Sequence, residues 1–360
     1  MLSYWDRNRS DWLRGITLAA NNHEKDYVID GIPVHLLGFS LWEKLRMLPW
    51  IPLYYPFMSL AVEQLSRILE SQLSPFVQKA DLVHNVRIGR EVLSYTSLKL
   101  ARKRGIPFVL TPVHHPRWTG WRYKVYEQIY READAVIALT QAERNILIGL
   151  GVNPERVYLT GHGPILSSHA DESEFRQKHR LQGPFVLFLG QHYAYKGFQQ
   201  LLRASARVWQ EFPEVTFAFI GPPVKDSERF FDEYRDPRII RLGAVSLQEK
   251  TDALAACDLL CVPSSQESFG GVYTEAWMFH KPVIGCPIPA VNEVVTHGED
   301  GLLVPQEPDA IAEAITQLIR DPGLAQRLGT AGYQKVMEKY SWPQLAAKTL
   351  AVYERVLQYG

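Results

Sequence analysis

Short apolar runs alternate with helix-like segments along the whole chain. The runs are rich in β-branched and aromatic residues and are nearly continuous, which is typical of strands buried on both faces. We therefore predict an α/β fold built from parallel sheets covered by helices. In the first half the runs are GITLAA, IPVHLLG, DLVHNV, PFVLTPV, AVIAL and RVYLTG, and in the second half they are PFVLFLG, VTFAFIG, IIRLG, DLLCVP, KPVIG and GLLVP.

Several helices begin at recognisable capping residues. A Ser or Thr followed three residues later by Glu forms a capping box, and a lone Ser or Asp before a periodic segment favours an N-cap. The predicted caps are Thr140 with Glu143, Ser246 with Glu249, Asp309 and Ser341. The 3.6-residue period predicts a buried face in each of the last two helices. The buried residues are Ile311, Ile315 and Leu318 in the helix at Asp309, and Val352 and Val356 in the helix at Ser341.

A polar stretch over 166–183 interrupts the alternation and favours a linker between two domains. We predict a first domain over 1–165, a second over 184–340 and a final helix over 341–360. A chain of 360 residues is long enough for two domains of ordinary size.

Composition excludes several classes of protein. Lys plus Arg and Asp plus Glu both total 39, so the charge balance indicates no nucleic-acid partner. The three cysteines, Cys257, Cys261 and Cys286, are an odd and sparse set, which favours a reducing compartment and buried apolar roles over disulfides or metal ligation. No apolar run reaches about 18 residues, and the N-terminus is polar and charged, so neither a transmembrane helix nor a signal peptide is expected. These features predict a cytoplasmic protein.

Glu267 and Glu275 lie in the segment with the clearest functional pattern. They are eight positions apart, on either side of the pair Gly270-Gly271. We predict a buried strand over 258–262 before them and a helix over 272–280 after Gly271. In an open parallel sheet such a strand-to-helix turn lies at the ligand-binding edge. Glycines and a helix N-terminus suit an anion, and two carboxylates suit sugar hydroxyls, so the segment indicates a sugar attached to a diphosphate.

Lys196 follows the first strand of the second half, in FLGQHYAYKGF. Gly190 ends this strand, and Lys196-Gly197 lead into a helix. The lysine is therefore predicted at the same edge of the sheet as Gly270, where its charge suits a phosphate. A solvated lysine at a helix start is the simpler alternative. The nearby segment of Glu267 and Glu275 favours the phosphate role.

These motifs resemble those of the family-4 retaining glycosyltransferases, also called glycosyl transferases group 1. Proteins of this family have the GT-B fold, in which two Rossmann-like domains face each other across a cleft. The matching pieces, in the family's order, are GQHYAYKG, FAFIG, RLGAVS, PSSQESFGGVYTEAW, KPVIG and GEDGLLVP, and they cover about 184–305. The first half matches more loosely, through DLVHNV, ARKRGIPFVLTPVHH and ADAVIALTQAE.

The resemblance implies roles for individual residues. Glu275 would hold the ribose diol of the nucleotide, Glu267 would contact hydroxyls of the donor sugar, and Lys196 would neutralise the leaving diphosphate. The turn 243–245 would lie against the base. The other residues placed at the nucleotide-sugar are Gly190, Gln191, Val245, Ser268, Phe269, Gly270, Gly271 and Val272.

The chain departs from the family pattern in two features. Where the family often has a basic residue after the glycine of the first strand, this chain has Gln191, which leaves the phosphate contact to Lys196 or to another basic residue. Family members also usually begin with a strand, a glycine-rich loop and a helix before the hairpin found here in IDGIPVHLLGF. The resemblance therefore leads us to expect a shortened N-terminus and an altered acceptor side.

The first half offers candidates for the acceptor side. By resemblance, one histidine after the strand PFVLTPV would point at the donor sugar; His115, which precedes Pro116, fits better than His114. Loop histidines, one of them packed on Trp118, are the alternative. Arg87 and Arg90 follow another strand and either line the acceptor pocket or are solvated at a helix start.

The segment 41–58, LWEKLRMLPWIPLYYPFM, is unusually rich in aromatic residues and proline. Its composition fits either an interfacial membrane contact at the inner face of the membrane or ordinary packing under the acceptor domain. Packing is the simpler interpretation and the one that we favour at this stage.

The predicted reaction is a metal-independent hexosyl transfer with retention, of the kind used in polysaccharide biosynthesis. The donor would be a nucleotide-diphosphate sugar, most simply of the UDP or GDP type, and the acceptor a glycan or a lipid-linked precursor. No cofactor, metal site or nucleic-acid partner is expected. The alternatives are a phosphorylase or epimerase on the same fold, and a sugar-nucleotide-binding protein without independent activity. The sequence does not indicate an oligomeric state.

Overall fold

The predicted strands are present in the protein, with one exception, and each ends where the apolar run gives way to a turn. The computed structural model describes residues 1–3, 17–86, 91–115, 118, 120–224 and 227–359. The strands are β1 (Leu2–Ser3), β2 (Lys25–Ile29), β3 (Ile32–Leu36), β4 (Val83–Val86), β5 (Phe108–Thr111), β6 (Ala135–Ala138), β7 (Val157–Leu159), β8 (Phe185–Leu189), β9 (Thr216–Ile220), β10 (Ile239–Gly243), β11 (Leu259–Cys261), β12 (Val283–Gly285) and β13 (Leu302–Leu303).

The contacts between residues divide the chain into two units. The first unit comprises Met1–Ala138, Glu143–Leu159 and Leu350–Gly360, and the second comprises Leu139–Ala142 and Thr160–Thr349. Each unit contains a parallel sheet whose strands are joined by helices. This confirms the predicted α/β class with parallel sheets in two domains.

The second unit contains a six-stranded parallel sheet in the order β10-β9-β8-β11-β12-β13. The chain runs outward from β8 to β10 and then returns to place β11 on the other side of β8. This is the strand order of a dinucleotide-binding sheet, and its switch point lies between β8 and β11. Strand β8 is buried along its whole length, as expected for a strand covered by helices on both faces.

The first unit contains a four-stranded parallel sheet in the order β4-β5-β6-β7 and a three-stranded sheet in the order β1-β3-β2. Strands β2 and β3 form an antiparallel hairpin around Asp30-Gly31. Both turn residues have positive φ, at 49° and 79°, which Asp and Gly tolerate best and which matches the strand twist. This is the hairpin that the resemblance placed at IDGIPVHLLGF.

The helices of the described residues cover both faces of the sheets. They are Leu41–Met47, Trp50–Leu53, Met58–Val77, Glu91–Arg104, Lys124–Glu132, Gln141–Gly149, Glu172–Lys178, Phe198–Glu211, Ser227–Phe231, Leu247–Ala256, Gly271–Trp277, Pro289–Val294, Pro308–Arg320, Pro322–Lys335 and Trp342–Tyr359. None of these helices is both long and apolar enough to span a bilayer.

The end of the last helix packs against the sheet of the first unit. Val352 and Val356 form a cluster with Val109, Ala135 and Ile137, which confirms the predicted buried face of this helix.

A polar contact fixes the same helix to the sheet. The His84 ring on β4 lies between Tyr353 Oη, at 2.6 Å from Nδ1, and Thr111 Oγ1, at 2.8 Å from Nε2. Burial lowers the pKa of His84 to about 4, so the imidazole is neutral at physiological pH.

Two expectations about local structure were wrong. In the run GITLAA, residues 17–20 form a turn rather than a strand, and the preceding residues lie outside the described ranges. The segment 166–183, predicted as a linker, contains the helix Glu172–Lys178; Asp171 caps this helix, and its Phe175 is buried. Asp309 is not an N-cap, because Pro308 already occupies the first helical position and Glu307 precedes it.

The cap at Ser246 and the buried, free cysteines are confirmed, whereas the capping roles of Thr140 and Ser341 stay predictions. Ser246 accepts a hydrogen bond from Glu249 N at 3.1 Å, although the Glu249 carboxylate binds Lys178 Nζ, at 2.6 Å, instead of closing a capping box. The cysteines are free and buried. Helices begin directly after Thr140 and Ser341, and the predicted apolar face of the helix Pro308–Arg320 is buried.

Candidate functional site

The candidate site lies at the carboxyl ends of β8 and β11, at the switch point of the six-stranded sheet. Two loops leave the sheet there: 190–197 after β8 and 262–270 after β11. Because neighbouring strands of an open parallel sheet diverge at this point, their loops leave a crevice in which ligands bind. The segment of Glu267 and the loop of Lys196 are therefore adjacent, as predicted.

Lys196 and Glu267 form an ion pair across this point. Lys196 Nζ lies 2.5 Å from Glu267 Oε1, and their side chains are 20% and 10% exposed. The pair is largely removed from water, and it lies at the edge of the sheet where ligands bind. The sequence predicted both residues but not their mutual contact.

Gly197 allows the two loops to approach. Its φ is 81°, and a Cβ atom at this position would lie 2.3 Å from the carbonyl oxygen of Pro263. Any other residue would push the β8 loop away from the β11 loop. The glycine therefore brings Lys196 to Glu267.

Hydrogen bonds around one carbonyl fix the same two loops. The Tyr195 oxygen accepts from Ser265 N at 2.8 Å and from Gln306 Nε2 at 3.0 Å. Gln306 also donates to Pro263 O at 2.6 Å, so one amide side chain connects both loops to the end of β13. Sequence reasoning missed Gln306, because only the folded sheet brings its side chain close to Tyr195 and Pro263.

The glycine pair begins the helix Gly271–Trp277, which is shorter than the predicted helix over 272–280. Gly270 has a φ of 87°, and a Cβ there would lie 2.6 Å from the Tyr273 ring. The Tyr273 hydroxyl donates to Val262 O at 2.7 Å. Tight packing on Tyr273 is thus one reason for glycine at this turn, alongside the predicted approach of a ligand.

Glu275 is buried on the same helix and is bound by Lys250, which sequence reasoning missed. Lys250 Nζ lies 2.8 Å from Glu275 Oε1 and donates to Ile165 O at 2.6 Å. Ile165 N in turn donates to Glu275 Oε1 at 3.4 Å. Burial raises the pKa of the Glu275 carboxyl, and the charge of Lys250 opposes that rise. The lysine therefore favours the ionised carboxylate.

The remaining predicted residues of this site lie around these two ion pairs. Phe269 is buried beside the glycine pair and packs on His162 and Tyr340, with ring centroids 6.0 and 5.3 Å apart. The other predicted positions, which are half-buried, are Gly190, Gln191, Val245, Ser268, Gly271 and Val272. Their contacts with a ligand stay predictions.

His192 is a further residue of the β8 loop that the sequence did not single out. Its ring is fully buried among Phe188, Phe198 and Phe231. Burial lowers the pKa of His192 to about 4. The imidazole is therefore neutral, and its packing fixes the base of the loop that carries Lys196.

In the first unit, His114 and His115 follow β5 and differ in environment. His114 is buried, with Nδ1 at 3.0 Å from Tyr130 Oη, and burial lowers its pKa to about 4. His115 is half-buried, with its ring centroid 6.1 Å from that of Trp118. Val113, just before them, has a φ of 51°, a strained conformation for a β-branched residue. Arg87 and Arg90 lie outside the described residues.

A cavity of about 560 Å³ lies elsewhere in the first unit, at the amino ends of β5, β6 and β7. Arg102, Asp134, Arg156 and Arg355 are among its lining residues. Ligands of open parallel sheets bind at the opposite, carboxyl edge, so this cavity is not the candidate active site. Within the described residues, no group of three or more His, Cys, Asp or Glu side chains is placed to hold a metal ion.

Two family models match the chain. One, described as glycosyl transferases group 1, matches residues 170–335, and the other, described as glycosyl transferase 4-like domain, matches residues 14–163. Together they cover most of both units.

Two of the curated relatives are mannosyltransferases. An MMP alpha-(1->4)-mannosyltransferase of Mycolicibacterium hassiacum is 26% identical over 321 residues, which span 81% of this chain and 74% of the relative. A phosphatidyl-myo-inositol mannosyltransferase of Mycobacterium tuberculosis is 32% identical over 186 residues, half of this chain and 49% of the relative.

Solved structures share the fold. A sucrose-phosphate synthase from Thermosynechococcus elongatus has a TM-score of 0.75 at 20% identity, covering 94% of this chain and 87% of its own. HepE of Anabaena, crystallised with UDP and glucose, has a TM-score of 0.67 at 21% identity, and 80% of each chain is covered.

The strand order and the solved structures show the GT-B fold, and the family models and curated relatives show a glycosyltransferase. The chain belongs to the glycosyl transferases group 1, the family that its motifs resembled.

Proposed function

We propose that the protein transfers a hexosyl group from a nucleotide-diphosphate sugar to a hydroxyl of a glycan or lipid-linked acceptor, with retention at the anomeric carbon and without a metal ion. The observation that carries the proposal is the ion pair between Lys196 and Glu267, 2.5 Å apart at the switch point of the six-stranded sheet. A nucleotide-diphosphate sugar presents both an anion for the lysine and hydroxyls for the carboxylate.

Lys196 binds the diphosphate in this mechanism. When a ligand enters, the phosphate oxygens compete with Glu267 for the ammonium group, and the freed carboxylate accepts hydrogen bonds from the sugar. As the glycosidic bond breaks, negative charge grows on the leaving diphosphate. A preorganised cation in a site of low dielectric stabilises that charge in the transition state.

Glu275 accepts the ribose hydroxyls, and Lys250 keeps its carboxylate ionised. The buried carboxylate has a raised pKa, so without a nearby cation part of its population would bind a proton and lose acceptor capacity. The amides of Gly270, Gly271 and Val272 and the residues Ser268 and Phe269 complete the donor side.

The chemical step exchanges one bond for another at the anomeric carbon. The bond from that carbon to the diphosphate oxygen breaks, and a bond to the acceptor oxygen forms on the same face of the sugar. The acceptor proton passes to an oxygen of the leaving phosphate, so Glu267 orients the sugar without forming a covalent intermediate. His115, in the first unit, would contact the donor sugar.

The donor is expected to be of the UDP or GDP type, and no separate cofactor is needed. We assign donor binding to the second unit and acceptor binding to the first. A relative of this chain is named a phosphatidyl-myo-inositol mannosyltransferase, and that name supports a lipid-linked acceptor among the possibilities.

Calorimetric titration with UDP, GDP, ADP and dTDP tests the donor site. We expect one nucleotide to bind, and Glu275→Ala to weaken its binding by roughly tenfold or more, because the ribose hydroxyls lose a charged acceptor. Glu299→Ala, which removes an exposed carboxylate of the same unit, is the matched control and should leave binding unchanged. Binding of none of the four nucleotides would overturn the proposal, and phosphate-dependent release of a sugar phosphate would indicate a phosphorylase instead.

A further inference from the structure

The cavity of about 560 Å³ at the amino edge of the four-stranded sheet has the size of a ligand site. Small-molecule sites commonly enclose roughly 300–1,000 Å³. The turns before β5, β6 and β7 line the cavity together with Arg355 and Val356 of the last helix. All of its lining residues belong to the first unit, whereas the candidate donor site lies in the second. The cavity is therefore a separate place at which a ligand can bind.

One of the three arginines in the lining is already paired. Arg102 Nη1 lies 2.8 Å from Asp134 Oδ2, and that oxygen also accepts a hydrogen bond from Phe108 N at 2.8 Å. Arg102 Nη2 also donates to Glu132 O. These contacts fix the wall of the cavity at the start of β5 and β6, and they leave little of the Arg102 charge for a ligand.

The other two arginines, Arg156 and Arg355, form no ion pair with any described residue. The central carbon of the Arg355 guanidinium lies 5.6 Å from the centroid of the Tyr158 ring, which also lines the cavity. A contact with a ring face orients a guanidinium group and leaves its N–H donors available. Because arginine keeps its charge at physiological pH, the lining presents two cations that a ligand can bind.

Two further polar side chains of the lining affect the binding of an anion. Glu155 is exposed, and its carboxylate forms no ion pair within the described part of the chain, so it offsets part of the charge of Arg156 and Arg355. Asn153 Oδ1 accepts a hydrogen bond from Glu155 N at 3.0 Å, which leaves the amide NH2 group of Asn153 to donate. The lining thus has an excess of positive charge and one neutral donor.

We propose that this cavity binds a small phosphorylated molecule through its phosphate group. The guanidinium fork matches phosphate oxygens in pairs, and Arg156 and Arg355 supply two such forks. Ile106, Pro107 and Val356 form an apolar part of the lining, which suits the carbon skeleton of the ligand. The ligand connects the turn before β7 to the end of the last helix. This inference concerns the first unit and does not depend on the donor chemistry proposed above.

An acidic segment of another protein is a poorer occupant of the same cavity. A side-chain carboxylate carries one charge, whereas a phosphate monoester carries about −1.5 to −2 at neutral pH and three acceptor oxygens. Two arginines beside the opposing carboxylate of Glu155 therefore favour the phosphate. Protein partners also need an interface of about 800 Å² on each side, which a concave site of this size does not provide.

Calorimetric titration of the full chain with ribose 5-phosphate tests the proposal, with inorganic phosphate alongside and ribose as the neutral match. We expect ribose 5-phosphate to bind more tightly than inorganic phosphate, and ribose not to bind. The double variant Arg156→Gln/Arg355→Gln should weaken the binding of ribose 5-phosphate by roughly tenfold or more, because two charge-assisted contacts are lost. Glu155→Gln should strengthen it, because the opposing charge is removed.

The matched control is Lys103→Gln/Arg104→Gln, which removes two exposed cations that do not line the cavity and should leave binding unchanged. Thermal unfolding checks that each variant is folded. Any phosphate bound at the donor site contributes equally to the native chain and to the variants, so their difference isolates the cavity.

The proposal is wrong if neither phosphate compound binds, or if Arg156→Gln/Arg355→Gln binds ribose 5-phosphate as the native chain does. An equal loss of affinity in the control variant would also overturn it, because general surface charge would then attract the anion. Absence of nucleotide binding would concern the donor site of the second unit and would leave these outcomes unchanged.

Discussion

The carboxyl edges of the two parallel sheets carry different chemistry. In the second unit, Lys196 pairs with Glu267 and Lys250 pairs with Glu275. In the first unit, the polar groups include His84 within β4 and His114 after β5, whose pKa values burial lowers to about 4. These rings are neutral at physiological pH and contact tyrosine hydroxyls. Among the described residues, the edge of the second unit holds paired charges, whereas that of the first unit has neutral histidines beside the buried carboxyl groups of Glu91 and Glu143.

This difference matches the two substrates of a glycosyl transfer. The donor carries a diphosphate, whose charge must be bound in the ground state and stabilised as it leaves, so fixed cations are useful. In the proposed function the acceptor presents hydroxyls, which histidines and carboxyl groups can recognise by hydrogen bonds without a fixed cation. The paired lysines also explain how the second unit holds the buried carboxylates of Glu267 and Glu275 without a ligand.

The largest effect is expected at the charged edge. Lys196→Met should lower kcat by roughly a thousandfold, because the leaving diphosphate loses its cation and Glu267 keeps an uncompensated charge. Steady-state kinetics with the nucleotide-sugar identified by titration measures the effect. Lys103→Met removes an exposed lysine of the first unit and should change nothing. If kcat falls by less than about tenfold, the contrast between the two edges does not concern leaving-group charge.

The buried histidines of the first unit should make its stability depend on pH in the acid range. For a buried histidine whose pKa falls from 6.5 to about 4, stability is fully present above pH 6.5 and is lost as the pH falls toward 4. His84 alone would contribute at most about 3 kcal/mol of this loss in the free energy of unfolding. His84→Gln, which cannot titrate, should therefore flatten the fall of stability over that range.

Chemical denaturation at several pH values measures this slope, with His23→Gln as a control at an exposed position. An unchanged slope in His84→Gln would mean that the His84 ring is not held neutral between Tyr353 and Thr111. The contrast between the sheets of the two units would then depend on the other histidines of the first unit.

The sequence predicted the placement of the candidate site at the carboxyl edge of the second sheet because the signals are local. Gly270, Gly271, Glu267 and Glu275 lie within one continuous segment, and the strands around them are buried on both faces, so apolar runs mark them. Lys250 and Gln306 were missed because each acts on a residue at least 25 positions away, through a contact that exists only in the folded sheet.

In two other segments, polar residues have roles that their polarity alone did not indicate. Residues 166–183 are polar, but Asp171 uses its polarity to cap a helix and Phe175 anchors that helix in the core. Asp309 has the right chemistry for a cap, yet Pro308 is already at the first helical position and the Asp309 carboxylate pairs with Arg207 at 2.7 Å. Polarity alone does not distinguish a linker from the exposed face of a helix.

The smallest effect is a shift in pH dependence at the charged edge, and it concerns Lys250. In the proposed function, Glu275 must be ionised to accept both ribose hydroxyls. Burial raises the pKa of its carboxyl, and Lys250 opposes the rise. In Lys250→Met that opposition is lost. Nucleotide affinity should then be lower by roughly tenfold at neutral pH, and it should begin to fall at a higher pH than in the native protein.

Calorimetric Kd values between about pH 5 and 8 separate this effect from simple damage to the fold. The terminal phosphate of a nucleotide also titrates in this range, but it contributes equally to both proteins, so the difference between the two profiles isolates Glu275. Lys250→Arg keeps the positive charge and should restore the native profile, even if the hydrogen bond to Ile165 O is altered. A parallel loss of affinity at every pH in Lys250→Met would show that Lys250 supports the site only by packing, and that the charged edge does not depend on holding Glu275 ionised.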